Sequence, residues 1–152
     1  MKKLWAASAL AALMLLWIAA SANAQQFGTA QEARAMLERA ARALEANKTA
    51  ALAEFNDKTN KQFHDHDLYV FCFDMTDGKT DAHPNPALIG TDVRAFKFKD
   101  DPLGQRVFDA AKPGSVTTVD YNFPKPGTTE PVAKQSFVTR IGDQGCGVGY
   151  YK

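Results

Sequence analysis

The sequence predicts an α+β domain: one antiparallel sheet of five strands, with a long N-terminal helix and a short helix packed on it. Three observations point there. Apolar residues recur at helical spacing between residues 33 and 44. From residue 68 the pattern changes to β-branched and aromatic residues alternating with period two. The later strand-like segments are joined by turns too short for crossover connections, so neighbouring strands run antiparallel.

Ahead of the domain, Lys2 and Lys3 precede an apolar run over residues 4–20, and Ala22-Asn23-Ala24 is a small-x-small cleavage site. Residues 1–24 therefore read as a signal peptide and Gln25 as the mature N-terminus. No later stretch is long enough to span a bilayer. The expected product is one periplasmic or secreted domain, residues 25–152, large enough to bury about two-thirds of its unfolded surface. Loss of Lys2 and Lys3 takes the formal charge from +1 to −1. Such a balance speaks against nucleic acid or an anionic membrane surface as a partner. Nothing after the last strand reads as an output domain, so any signal is expected to pass through a separate partner.

Within the domain, Thr29 and Glu32 form a capping box, and Ala33, Met36, Leu37, Ala40, Ala41 and Leu44 make the buried stripe of the long helix. Arg34, Glu38, Arg39, Arg42 and Glu45 form its solvated flank. Asn47-Lys48-Thr49 is a soft break, with Thr49 expected to cap a second piece carrying Leu52 and Phe55. The first strand, residues 68–75, places Tyr69, Phe71, Phe73 and Met75 on one face and Val70, Cys72 and Asp74 on the other. Thr76-Asp77-Gly78-Lys79 is a hairpin turn. The returning strand, residues 80–83, is stopped by Pro84-Asn85-Pro86. Asp101 is expected to cap a short helix with Pro102 at its first position, carrying Leu103 and Val107 and ended by Pro113-Gly114. Three strands close the chain at residues 115–123, 132–141 and 146–151, and the helices are expected on one side of the sheet. The two cysteines, Cys72 and Cys146, form either a disulfide worth ~2–4 kcal/mol or a pair of buried thiols.

Five runs in order carry a family resemblance: Asp67-Leu68-Tyr69-Val70-Phe71; Asp77-Gly78 followed by Ala82-His83-Pro84-Asn85-Pro86 and Gly90; Asp120-Tyr121-Asn122-Phe123-Pro124; Pro131-Val132-Ala133-Lys134; and Gly145-Cys146-Gly147-Val148-Gly149-Tyr150. Together they resemble the single-Cache sensor domains, the extracytoplasmic PAS-like modules of bacterial chemoreceptors and sensor kinases. The resemblance implies a PAS- or profilin-like sheet that binds a small metabolite, often a carboxylate, on one face. It also implies a role in chemotaxis or other signal transduction, through a membrane receptor or sensor kinase as partner. The segment before Asp120 departs from the pattern, reading Ser115-Val116-Thr117-Thr118-Val119 without the family's Gly-rich turn and Trp.

A carboxylate site needs fixed donors inside an apolar cup. Tyr69, Phe71 and Phe73 on one strand, with Tyr121 and Phe123 on another, are the cup candidates. Each is also a candidate for ordinary sheet core. Lys134, the lysine of the Pro-Val-x-Lys run, and His83 are the donor candidates, with the Tyr69 and Tyr121 hydroxyls. Arg94 and Arg140 are alternatives able to grip a carboxylate as a planar fork. The ligand expected is an organic acid or amino acid, and no cofactor is expected. His64-Asp65-His66-Asp67 offers a second chemistry, two imidazoles at extended spacing that would start a metal site, with nothing elsewhere in the sequence to complete it. A metal or redox accessory protein and a pure protein-interaction module are therefore the competing functions. No nucleophile elbow, His-Glu-x-x-His run or phosphate loop is present, and Cys72 lies in an apolar strand, so no enzyme activity is expected.

Overall fold

The computed structural model describes residues 27–152; the signal peptide expected at residues 1–24 lies outside them. The elements run α1 (Ala30–Ala46), α2 (Lys48–Asn56), β1 (His64–Asp65), β2 (Leu68–Asp74), β3 (Thr80–Ala82), α3 (Leu103–Ala110), β4 (Thr117–Pro124), β5 (Pro131–Ile141) and β6 (Gln144–Tyr151). Two 3₁₀ turns, Pro86–Leu88 and Val93–Ala95, lie between β3 and α3. The strands form an antiparallel sheet in the order β1-β2-β6-β5-β4, with β3 also paired to β2. The two-residue β1 is an addition to the five expected strands. Among the described residues no helix is long and apolar enough to cross a membrane.

Local chemistry explains most boundaries. The Thr29 hydroxyl accepts from the Glu32 N–H while the Glu32 carboxylate accepts from the Thr29 N–H, so two orphan donors of α1 are satisfied at once. The break after α1 is capped by Asn47, whose Oδ1 accepts from Ala50 N, and not by Thr49. Asn47 has the extended backbone a cap requires, which Thr49, already inside the helix, does not. Asp101 does not cap α3 either. Its carboxylate is taken by Arg106 Nη1 at 2.7 Å, and the helix begins at Leu103 without a side-chain cap. The Asp-Gly turn closes through Gly78 at φ 78°, a backbone conformation that glycine adopts without cost.

Two apolar layers sandwich the sheet. On one side, α1 and α2 bury Met36, Leu37, Ala40, Leu44, Ala51 and Phe55 against Val70, Cys72, Cys146 and Val148. Cys72 and Cys146 are register partners of β2 and β6, and their sulfurs are 2.08 Å apart, a disulfide joining positions 74 residues apart. On the other side, α3 buries Leu103 and Val107 with Phe73, Val119 and Val138. The expectation that all helices share one side is thus corrected. Period-two alternation gives β2, β4 and β5 a second apolar face, and α3 with residues 83–98 covers it.

Candidate ligand-binding site

The covering over the second face is incomplete. A cavity of about 320 Å³ remains between the sheet on one side and α3 with residues 83–96 on the other. The sheet contributes Tyr69, Phe71 and Phe73 from β2, Tyr121 and Phe123 from β4, and Lys134 from β5. The opposite wall is His83, Asn85, Leu88, Thr91, Val93 and Phe96, then Leu103, Gly104 and Val107 of α3. Backbone hydrogen bonds hold this wall to the edge of the sheet. Thr80 N donates to Thr91 O, Gly90 N to Thr80 O and Val93 N to Gly78 O, each at 2.8 Å.

The floor depends on what is missing from β6. Gly145, Gly147 and Gly149 all point toward this face. A Cβ at Gly145 would lie 2.3 Å from the Phe73 ring, and one at Gly147 2.4 Å from the Phe71 ring. A Cβ at Gly149 would lie 2.7 Å from Ser136 Oγ and 2.9 Å from Lys134 Cε. Side-chain-free positions at every second residue let the aromatic rings of β2 and the stem of Lys134 lie across the strand. Large groups thereby fit on a floor one strand wide.

Lys134 is the unusual residue. It stands on an interior strand, between Tyr121 of β4 and Tyr151 of β6, and is 3% exposed. Its Nζ lies 4.5 Å from the Tyr151 ring centroid, 5.3 Å from Tyr69 and 5.7 Å from Phe123. Among the described residues its Nζ forms no ion pair, and Asp67 acts on it only as a nearby charge. Burial pushes its pKa down to about 8, against the opposing pull of the Asp67 charge. It is still largely an ammonium at neutral pH, and three ring faces replace only part of its lost hydration.

The neutral donors surround it. His83 Nδ1 accepts from Asn85 N at 2.9 Å, which places the proton of the neutral imidazole on Nε2. Burial, and then the Lys134 charge, push the His83 pKa down to about 4, so the ring stays neutral across the physiological range. Its ring packs edge-on against Tyr69 at 5.4 Å. Burial raises the Tyr69 hydroxyl pKa above its ordinary value. Tyr121 is pushed up to about 12, chiefly by burial, and its Oη pairs with Ser136 Oγ at 2.9 Å. Both phenols are therefore hydrogen-bond groups and not phenolates at any physiological pH.

The five residues singled out in the sequence, Tyr69, Phe71, His83, Tyr121 and Lys134, line one cavity, as do Phe73 and Phe123. Phe73 is also fully buried, so it belongs to the core as well as to the cavity lining. Arg94 and Arg140 are not cavity residues. Arg94 clasps Asp92 with Nε at 2.9 Å and Nη2 at 2.7 Å and stacks on Phe108, and Arg140 Nε donates to Gly142 O. Among the described residues no group of three or more potential metal ligands forms around His64 and His66. His64 Nε2 bonds the carbonyl of Phe55 at 2.6 Å, while His66 has a positive φ of 54° and its Nδ1 lies 3.4 Å from Asp65 Oδ2. Of the opposite wall only His83 was singled out from sequence, and the glycine floor was not identified, although the Gly-x-Gly-x-Gly spacing of a strand was visible.

The Cache domain family model matches residues 35–148. Methyl-accepting chemotaxis protein McpP of Pseudomonas putida is 39% identical over 80 residues, 49% of this chain and 14% of that protein. The chain therefore spans a small part of that relative's length. A periplasmic sensor domain of a chemotaxis protein is 27% identical at a TM-score of 0.57, covering 80% of this chain and 88% of the other. A Cache chemosensory domain solved to explain carboxylic acid recognition is 26% identical at 0.52, covering 80% and 86%. A methyl-accepting chemotaxis protein of Vibrio parahaemolyticus, 20% identical at 0.63 over 80% and 86%, shares the fold.

Proposed function

This chain belongs to the Cache domain family, and from that premise we propose that it is an extracytoplasmic binding module for a small monocarboxylate, without enzyme activity of its own. The observation that carries the reading is Lys134, a buried ammonium held at the wall of a largely apolar cavity. A bound carboxylate would supply the direct ion-pair contact that Asp67, which acts on Lys134 without pairing with it, does not. His83 Nε2–H and the Tyr69 hydroxyl would complete the donor set around it.

The charge pattern narrows the ligand. The cavity lining holds one cation, a neutral imidazole and no Asp or Glu. The ammonium of an amino acid would find no carboxylate there, and the second carboxylate of a diacid would find no second cation. Of the organic acids and amino acids expected from sequence, the lining favours acids with a single charge. A charge-assisted hydrogen bond is worth ~1.5–3 kcal/mol, and a micromolar ligand needs ~8 kcal/mol in all. Lys134 with two neutral donors and apolar contact reaches that range. Occupancy would tighten residues 83–98 over the cavity, and a membrane receptor or sensor kinase would read that outer surface as a chemotaxis or related signal.

A thermal-shift screen of mono- and dicarboxylates and amino acids tests the reading. A monocarboxylate at one hundred times its Kd stabilises the protein by ~2.7 kcal/mol, and Lys134→Met removes the shift. Equal shifts in wild type and Lys134→Met, or none with any acid, would overturn it.

A further inference from the structure

The cavity lining runs along β2 from Tyr69, beside Lys134, to Phe73, and Lys134 is its one charged side chain; this sets the shape of the acid. Resting on the carboxylate reading above, we infer that the ligand is a monocarboxylate with a bulky apolar tail, an aryl-alkyl acid or a chain of similar bulk, in place of a two- or three-carbon acid. Lys134 lies beside Tyr69, at the start of the β2 wall. The wall continues through Phe71 to Phe73, four residues on, or ~13 Å at the rise of a strand. At that far end Phe73 meets the Phe108 ring of α3 at 5.6 Å, and Leu103 and Val107 close the space. The lining there holds no charged residue.

Size agrees with shape. An apolar cavity of about 150 Å³ accommodates a benzene molecule. The space here, about 320 Å³, takes a ring together with a carboxylate and its linker. A two-carbon acid would fill only the Lys134 end, leaving water against Phe71, Phe73 and Leu103, where few polar groups could hold it. Each additional buried methylene improves binding until the far wall is reached, so affinity rises with tail bulk.

Isothermal titration of the full chain with acetate, propionate, phenylacetate and the uncharged phenylacetamide tests this directly. Phenylacetate is expected to bind about a hundredfold tighter than acetate, and phenylacetamide far more weakly than phenylacetate. Acetate or propionate binding as tightly as phenylacetate would overturn the tail inference while leaving the carboxylate reading intact. Equal binding of phenylacetate and phenylacetamide, or no binding by any acid, would overturn both.

Discussion

Replacing Lys134 with methionine is expected to stabilise the unliganded protein while destroying its ligand site. The ammonium is 3% exposed, and burial lowers its pKa from 10.5 to about 8. At ~1.36 kcal/mol per pKa unit, holding the charge in the folded state at neutral pH costs about 3 kcal/mol. The rings of Tyr151, Tyr69 and Phe123 return part of this, about 1–2 kcal/mol, as cation–π attraction. Methionine keeps the apolar stem and removes the charge, leaving a net gain of about 1–2 kcal/mol, or about 4–8 °C in Tm for a domain of this size. Differential scanning calorimetry at pH 7 reads it. The pH dependence supplies a second signature. Between about pH 8 and 10.5 the native state binds fewer protons at this residue than the unfolded chain. Wild-type stability therefore rises across that window, and the advantage of the variant shrinks with it. A Lys134→Met protein less stable than wild type at pH 7 would instead make the lysine a structural residue.

Gly149→Ala places a methyl 2.7 Å from Ser136 Oγ and 2.9 Å from Lys134 Cε, so the lysine must shift; carboxylate affinity should fall at least about tenfold in calorimetric titration, with the far-ultraviolet circular dichroism of the fold retained. Removing the disulfide by Cys72→Ala with Cys146→Ala should cost about 2–4 kcal/mol of stability in chemical denaturation, since the bridge closes a 74-residue separation; no loss would assign the cysteines to packing alone. With His83 titrating near 4, carboxylate affinity should stay flat from pH 5.5 to 7, and a tenfold change over that interval would show that the imidazole binds as a cation.

Those features whose causes are local were readable in the sequence. The capping box of Thr29 and Glu32, the face of β2 bearing Tyr69, Phe71 and Phe73, and the Asp77-Gly78 turn each follow from residues a few positions apart. What escaped is set by contacts between distant segments. Leu103 and Val107 form an apolar stripe whichever side of the sheet they cover, so only their meeting with Phe73 and Val138 places α3 opposite α1. A lysine in a strand is ordinarily a solvated edge charge. The burial of Lys134 became legible only through the resemblance, because its strand is interior and its stem needs Gly149 beneath it. Arg94 carried the chemically better fork for a carboxylate, yet Asp92, two residues away, had already claimed it.

The most direct measurement is proton uptake on binding. Calorimetric titration of phenylacetate or propionate, whichever binds tighter, in buffers of different ionisation enthalpy gives the number of protons taken up. A carboxylate seated on Lys134 restores the ammonium it needs, so about half a proton should enter at pH 8 and almost none at pH 6, with no uptake at pH 8 in Lys134→Met. Tight binding with no proton linkage at pH 8 would contradict the account, because the acid would then be held somewhere other than on the buried ammonium.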